Sequence, residues 1–198
     1  MTDPELHTSV TNVGKTMRGC QLKPFSYHKI LGALGTTPAH YPWARRYADF
    51  REDLCLIPQE AEIHFDDGWL CQYEIGMHLL ENANRKAWWF IPTADLETPE
   101  RISKAQLKDL AQRHEVGCHG HVHTDLRKLT QTQIEEQLGM SLNILEDLIG
   151  RPVSRFTAPY EFYNERVITA AAKYNLTTHL SGDRITMLID TKFQQEGL

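Results

Sequence analysis

Ala61-Glu62-Ile63-His64-Phe65-Asp66-Asp67-Gly68 decides how the rest of the chain is read. Glu62 to Phe65 is a short strand candidate, and Asp66-Asp67-Gly68 closes it with turn chemistry. Gln72 to Asn84 follows as a helix. Ala87-Trp88-Trp89-Phe90-Ile91 is an apolar, aromatic run, hence a buried strand in which alternation turns only one of the two tryptophans inward. Ser103 and Gln106 form a capping box for a helix with Leu107 and Leu110 inward. Glu115 to His119 is the next strand. Thr132 with Glu135 caps the clearest helix, in which Ile134, Leu138, Leu142, Leu145, Leu148 and Ile149 keep the 3.6-residue period until Gly150 stops it. Val153 to Ala158 reads as a strand, Asn164 to Tyr174 as a helix and Leu176 to Leu180 as a strand. This alternation predicts a parallel α/β sheet, open or closed into a barrel. Upstream, Thr36 to Pro42 is a proline-marked loop. Pro42 opens a short helix through Arg45, Tyr47 and Phe50 to Leu54, which Pro58 ends.

Composition excludes several classes. The 198 residues are 41% hydrophobic and 24% charged, ordinary for a globular chain and too apolar for a disordered one. Lys plus Arg number 21 against 26 Asp plus Glu, a formal charge of -5, so no basic excess exists to neutralise nucleic-acid phosphates. No run approaches the roughly 20 apolar residues of a membrane span. The polar N-terminus lacks an apolar signal core, and the expected location is the cytoplasm. Cys20, Cys55, Cys71 and Cys118 are irregularly spaced without a C-x-x-C pair, which predicts reduced thiols rather than disulfides or a thiolate metal site.

The polar residues that follow the predicted strands carry the chemistry. In a parallel α/β fold these strand ends share one face, so Asp66 and Asp67, the His119–His123 window and Pro159-Tyr160 converge there. In His119-Gly120-His121-Val122-His123, an extended chain would put all three imidazoles on one face. A helical turn after the strand, permitted by Gly120, pairs His119 with His123 and turns His121 away; this second geometry is the one expected. Adjacent buried carboxylates repel, and a cation relieves that cost. One carboxylate with two imidazoles matches a catalytic zinc shell, leaving the second carboxylate as a general base.

With these residues in place, the chain resembles the polysaccharide deacetylase family, which shares the NodB homology domain. The family's T-F-D-D-G motif matches His64-Phe65-Asp66-Asp67-Gly68. Its E-[IV]-G strand and H-x-x-x-H match Glu115-Val116-Gly117-Cys118-His119 through His123. Its R-x-P-Y motif, with an Asn shortly after, matches Thr157-Ala158-Pro159-Tyr160 and Asn164. The likeness runs from about Ala61 to Asp183. It implies a distorted, incomplete (β/α) barrel in residues 61–198, the deacetylase-like catalytic domain, with residues 1–60 as an N-terminal extension packing on it. It also implies a metal-dependent hydrolase that removes an N-acetyl or other N-acyl group from an amino sugar or saccharide. Asp67, His119 and His123 would hold a divalent ion, zinc first, with cobalt, nickel or iron fitting similar shells. Asp66 would take a proton from the attacking water, and the Tyr160 N–H would bond the developing oxyanion. The partner implied is an N-acylated saccharide, with Pro159, Tyr160 and Trp69 on its binding surface.

The chain departs from the pattern in three places. Thr157 replaces the arginine that orients the base, and Arg155, two residues earlier on the same strand face, is the candidate substitute. Glu161 replaces the usual glycine after Tyr160. The L-x-H motif that supplies a general acid is missing, and the 15 residues after Asp183 are too few for a further helix and strand. His179 is the first candidate for that acid, His121 a second, and His28, in the Y-H pair Tyr27-His28, a third. Trp43, Tyr163 and Trp69 are candidates to stack on a sugar ring. Two rival readings remain: an amide hydrolase with a His119-x-His121 metal pair, and a carbohydrate- or metal-binding protein without turnover.

Overall fold

The computed structural model describes residues 24–32 and 44–179. Six strands form one all-parallel sheet in the order β1 (Phe25–Tyr27), β4 (Ile63–Asp66), β5 (Trp88–Ile91), β6 (Glu115–Cys118), β7 (Arg155–Phe156) and β8 (Thr177–Thr178). The sheet curls into a half-barrel, the distorted and incomplete (β/α) barrel expected. A separate parallel pair joins β2 (Lys29–Leu31) to β3 (Ala44–Arg46). The helices are α1 (Tyr47–Leu56), α2 (His78–Asn82), α3 (Lys104–Leu110), α4 (Gln131–Ile149) and α5 (Glu165–Lys173), with a π-helical turn over Gln72–Met77 leading into α2. Among the described residues no helix is long and apolar enough to cross a membrane.

Alternation along each strand separates the two faces of the sheet. Ile63 and Phe65 of β4 and Trp89 and Ile91 of β5 are fully buried against the helices. There Phe65 meets Phe50 of α1 and Trp89 edge-on, at 5.6 and 5.0 Å between ring centroids. Each such side chain contributes about 1.5–3 kcal/mol through burial. His64, Asp66, Trp88 and Phe90 take the other, concave face. Trp88 thus lies on that face, with the Arg155 guanidinium 4.1 Å over its ring.

Some boundaries differ from the sequence expectation. Ala44–Arg46 is strand rather than helix, because it pairs with β2, and α1 begins only at Tyr47. The cap of α4 is Thr130 with Gln133, not Thr132 with Glu135. Thr130-Gln131-Thr132-Gln133-Ile134-Glu135 contains two overlapping capping boxes, and the earlier one gains half a turn of helix. Ser103 and Gln106 cap α3 as expected, and Gly150 ends α4 at φ 70°. β1 was unforeseen. Its three residues pair with β4, so part of the 1–60 segment is an edge strand of the main sheet. Cys55, Cys71 and Cys118 are free thiols. Trp43, Cys20, the whole Thr36–Pro42 loop and the chain after His179 lie outside the described residues.

Candidate metal and catalytic site

All sheet strands run the same way, so the residues following β4, β6 and β7 meet at one edge of the half-barrel. After β4 the backbone turns through two left-handed residues, Asp67 at φ 73° and Gly68 at φ 63°. After β6, Gly120 at φ 79° bends the chain, and the helical turn expected across His119–His123 does not form. The bend still has the expected effect: His119 and His123 face one way and His121 another. The His121 Nδ1 lies 2.8 Å from the Thr93 hydroxyl, so His121 stands outside the cluster and the His119-x-His121 reading is not favoured.

Asp67, His119 and His123 converge. Asp67 Oδ1 stands 3.4 Å from His119 Nε2 and 3.0 Å from His123 Nε2. His119 Nδ1 donates to the Thr157 carbonyl at 2.7 Å. A carbonyl only accepts, so Nδ1 carries the proton, and in the neutral ring Nε2 presents a lone pair towards the carboxylate. Asp67 Oδ1 and Asp66 Oδ1 are buried with no hydrogen-bond partner among the described residues. Protonating both imidazoles would set two positive rings side by side, at 5.2 Å between centroids. One divalent cation at the shared point satisfies all three donor atoms, and an Asp-His-His set is suitable chemistry for it. The residues present therefore fit a metal ion.

The electrostatics of the two aspartates differ. Burial pushes the Asp66 carboxyl up, and the charges of Asp67 and Glu161 add to this against the pull of His119 and His28. Burial also pushes Asp67 up, but the His119 and His123 imidazoles beside it outweigh that and hold this carboxyl well below the usual range. Burial pulls His119 down, while Asp67 and Asp66 more than restore it, leaving it raised. Neighbouring carboxylates are thus driven apart, one towards ion binding and the other towards proton uptake.

The third motif closes the site. Pro159 is buried, and its ring lies next to Gly120. Tyr160, at φ 60°, is 51% exposed, with its ring edge-on to His123 at 4.6 Å. Sequence reasoning missed three supports. Buried Gln72 donates to the carbonyls of both His28 and Asp66 at 2.5 Å. Thr157 serves through its carbonyl. Arg101 donates to the Asp67 carbonyl at 2.6 Å. All three act through backbone oxygens, and Gln72, Thr157 and Arg101 each reach at least one residue more than 30 positions away, so they leave no spacing signal in a sequence.

Other expectations are relocated. Trp69 is not an open sugar platform: its ring carries the Arg101 guanidinium at 3.4 Å and Lys29 Nζ at 3.8 Å. Tyr163 is buried, accepting from the Ala158 N–H and donating to the His179 carbonyl at 2.9 and 2.5 Å. Arg155 does not stand in for the motif arginine. It gives both Glu62 oxygens a partner, at 2.7 and 2.8 Å, because it sits one side-chain repeat deeper in the half-barrel than Thr157. His179 lies in this deeper layer too, 5.4 Å from the His64 ring and 3.9 Å from Glu62. Glu62, His64 and His179 form a second group with ligand-type atoms. Arg155 already balances its one carboxylate, and a cation there would face the guanidinium.

Comparison with known proteins adds the family. The sequence model described as "Polysaccharide deacetylase" matches residues 55–179. The chain belongs to the polysaccharide deacetylase family. A peptidoglycan deacetylase of Helicobacter pylori is 32% identical over 130 residues, 55% of this chain and 43% of that protein. The chain spans less than half the length of the curated relatives it matches. Among solved structures, the Streptococcus pyogenes deacetylase PplD in complex with acetate shares the fold. Its TM-score is 0.69 at 17% identity, covering 77% of this chain and 80% of that one. A Bacillus anthracis protein described as a CE4 family pseudoenzyme also matches, with TM-score 0.54, 19% identity and 59% and 41% coverage.

Proposed function

We propose that the chain is a metal-dependent hydrolase that removes an N-acetyl group from an amino sugar within a saccharide. The observation that carries this reading is the convergence of Asp67, His119 and His123 beside a buried Asp66 whose Oδ1 has no hydrogen-bond partner among the described residues. Asp67, His119 and His123 would hold the ion, zinc first among candidates that include cobalt, nickel and iron. Such an ion supplies a nucleophile at neutral pH and polarises the amide carbonyl. Asp66, lifted by burial, accepts the proton given up as water attacks the carbonyl carbon. The Tyr160 N–H stabilises the negative charge that develops on the carbonyl oxygen, an effect worth roughly 3 kcal/mol in comparable sites. Pro159 fixes the loop that presents that N–H, and the half-exposed Tyr160 ring offers the sugar an apolar face. Residues 61–198 form the catalytic unit in this reading and residues 1–60 an extension of it, although β1 of that extension is itself an edge strand of the unit's sheet.

A second reading, a binding protein without turnover, has support from the altered third motif and from the pseudoenzyme that shares the fold. Acetate release from N-acetylglucosamine oligosaccharides, with Zn2+ restored, separates the two. Release by the wild type that is lost in Asp66→Asn establishes hydrolysis. Saccharide binding without release establishes the binder.

A further inference from the structure

We propose that Trp69 and Arg101 form a positioning brace that aims the Asp67 carboxylate at His119 and His123. The inference rests on the metal reading above and extends it to two residues outside the ligand set.

The turn that carries Asp67 needs support. Asp67 and Gly68 are both left-handed, a conformation that costs an L-residue roughly 1–2 kcal/mol. A distant strip of chain holds them there. Trp69 and Arg101 make an antiparallel bridge, with the Leu70 N–H donating to the Glu100 carbonyl at 2.7 Å and the Ile102 N–H to the Gly68 carbonyl at 3.0 Å. Arg101 Nη1 then donates to the carbonyl of Asp67 itself at 2.6 Å.

The side chains continue the brace. Trp69 Nε1–H donates to Asp67 Oδ2 at 3.1 Å. An indole N–H only donates, so that oxygen is committed and Oδ1 is the one left facing both imidazoles. The indole is held by cations. The Arg101 guanidinium lies 3.4 Å from the ring centroid and Lys29 Nζ 3.8 Å, and these two are anchored by Asp95 at 3.4 Å and Glu100 at 3.0 Å. Arg101 thus grips Asp67 twice, through its carbonyl and through the indole. A partner of this kind fixes which oxygen a carboxylate offers, and losing one typically costs 10–100-fold in metal affinity.

The test titrates metal-free protein with Zn2+ against a chelating dye. Trp69→Phe keeps the ring and removes the N–H. Zn2+ affinity is expected to fall about 10–100-fold while the melting temperature of the metal-free protein stays within about 3 °C. Arg101→Lys keeps the charge and loses the planar fork, and it should weaken Zn2+ binding as well. The double variant should be no weaker than the worse single one, because the two act as a unit. If Trp69→Phe fails to fold, Arg101→Lys decides alone. Affinities within about two-fold of the wild type overturn the brace and leave the metal site standing. A rise in KM for saccharide with unchanged Zn2+ affinity also overturns it and returns Trp69 to the substrate. Failure of the wild type to bind Zn2+ overturns the underlying site instead.

Discussion

His119 donates through Nδ1 to the Thr157 carbonyl at 2.7 Å, so one bond joins the second motif to the third and selects the tautomer of His119. It leaves Nε2 bare on the side where Asp67 and His123 stand. Elemental analysis after dialysis should find one equivalent of metal in the wild type and none in Asp67→Asn, His119→Ala or His123→Ala. His121→Ala should keep its metal, because that imidazole is spent on Thr93. Metal lost from His121→Ala and retained in His123→Ala would move the ion to the other pair.

Acid should destabilise the protein through His64. Burial pushes this imidazole down from 6.5 to about 4. Above pH 6.5 it is neutral in both the folded and the unfolded chain. Between pH 6.5 and 4 the unfolded chain takes up a proton that the folded one refuses, so stability falls across that window. The loss is about 2–3 kcal/mol by pH 4.5 for a shift of this size. Guanidinium midpoints of metal-free protein at pH 7 and pH 4.5 should therefore differ less in His64→Gln than in the wild type. Equal differences in the two proteins would place the acid sensitivity elsewhere.

The convergence of Asp67, His119 and His123 was legible because each follows a strand, and a parallel sheet delivers strand ends to one edge whatever the loops do. Helix α4 was legible for a local reason: its apolar period and Gly150 depend on nothing outside the segment. The rest depended on distant partners. Trp69 reads as an exposed aromatic until the strip around Arg101, 32 residues on, folds back over it. Arg155 lies on the expected strand face, but its depth in the half-barrel, which decides between Glu62 and Asp66, is set by register. β1 is three residues long and has no periodicity to read until β4 lies beside it.

Gly117 is required by packing rather than by backbone conformation. A Cβ there would collide with Cδ1 and Cε1 of the Phe90 ring and come within 3.3 Å of the Arg155 carbonyl. Phe90 is fully buried, so it cannot swing clear. Gly117→Ala should cost about 1–3 kcal/mol in denaturant unfolding. Adding Phe90→Leu should recover part of that loss, since the two positions share one space. Losses that simply add would mean that the glycine matters for some reason other than the Phe90 ring.

The imidazole placed to work with Asp66 is that of His28. Its Nε2 lies 4.0 Å from Asp66 Oδ2, and Gln72 ties the backbones of the two residues through both carbonyls. His179, the residue at the end of β8, instead contacts His64 and Glu62 one layer deeper. His28→Gln should therefore lower kcat by about 100-fold, the usual scale for an assisting acid or base, with the metal content unchanged. Its positive form also pulls the Asp66 pKa down, so removing it lets that carboxyl rise. A base must be ionised to act, so the acid limb of the kcat/KM profile should move to higher pH in His28→Gln. His179→Gln should leave that limb in place. The opposite pattern, with the limb moved by His179→Gln and not by His28→Gln, would mean that His179 reaches the upper layer during turnover.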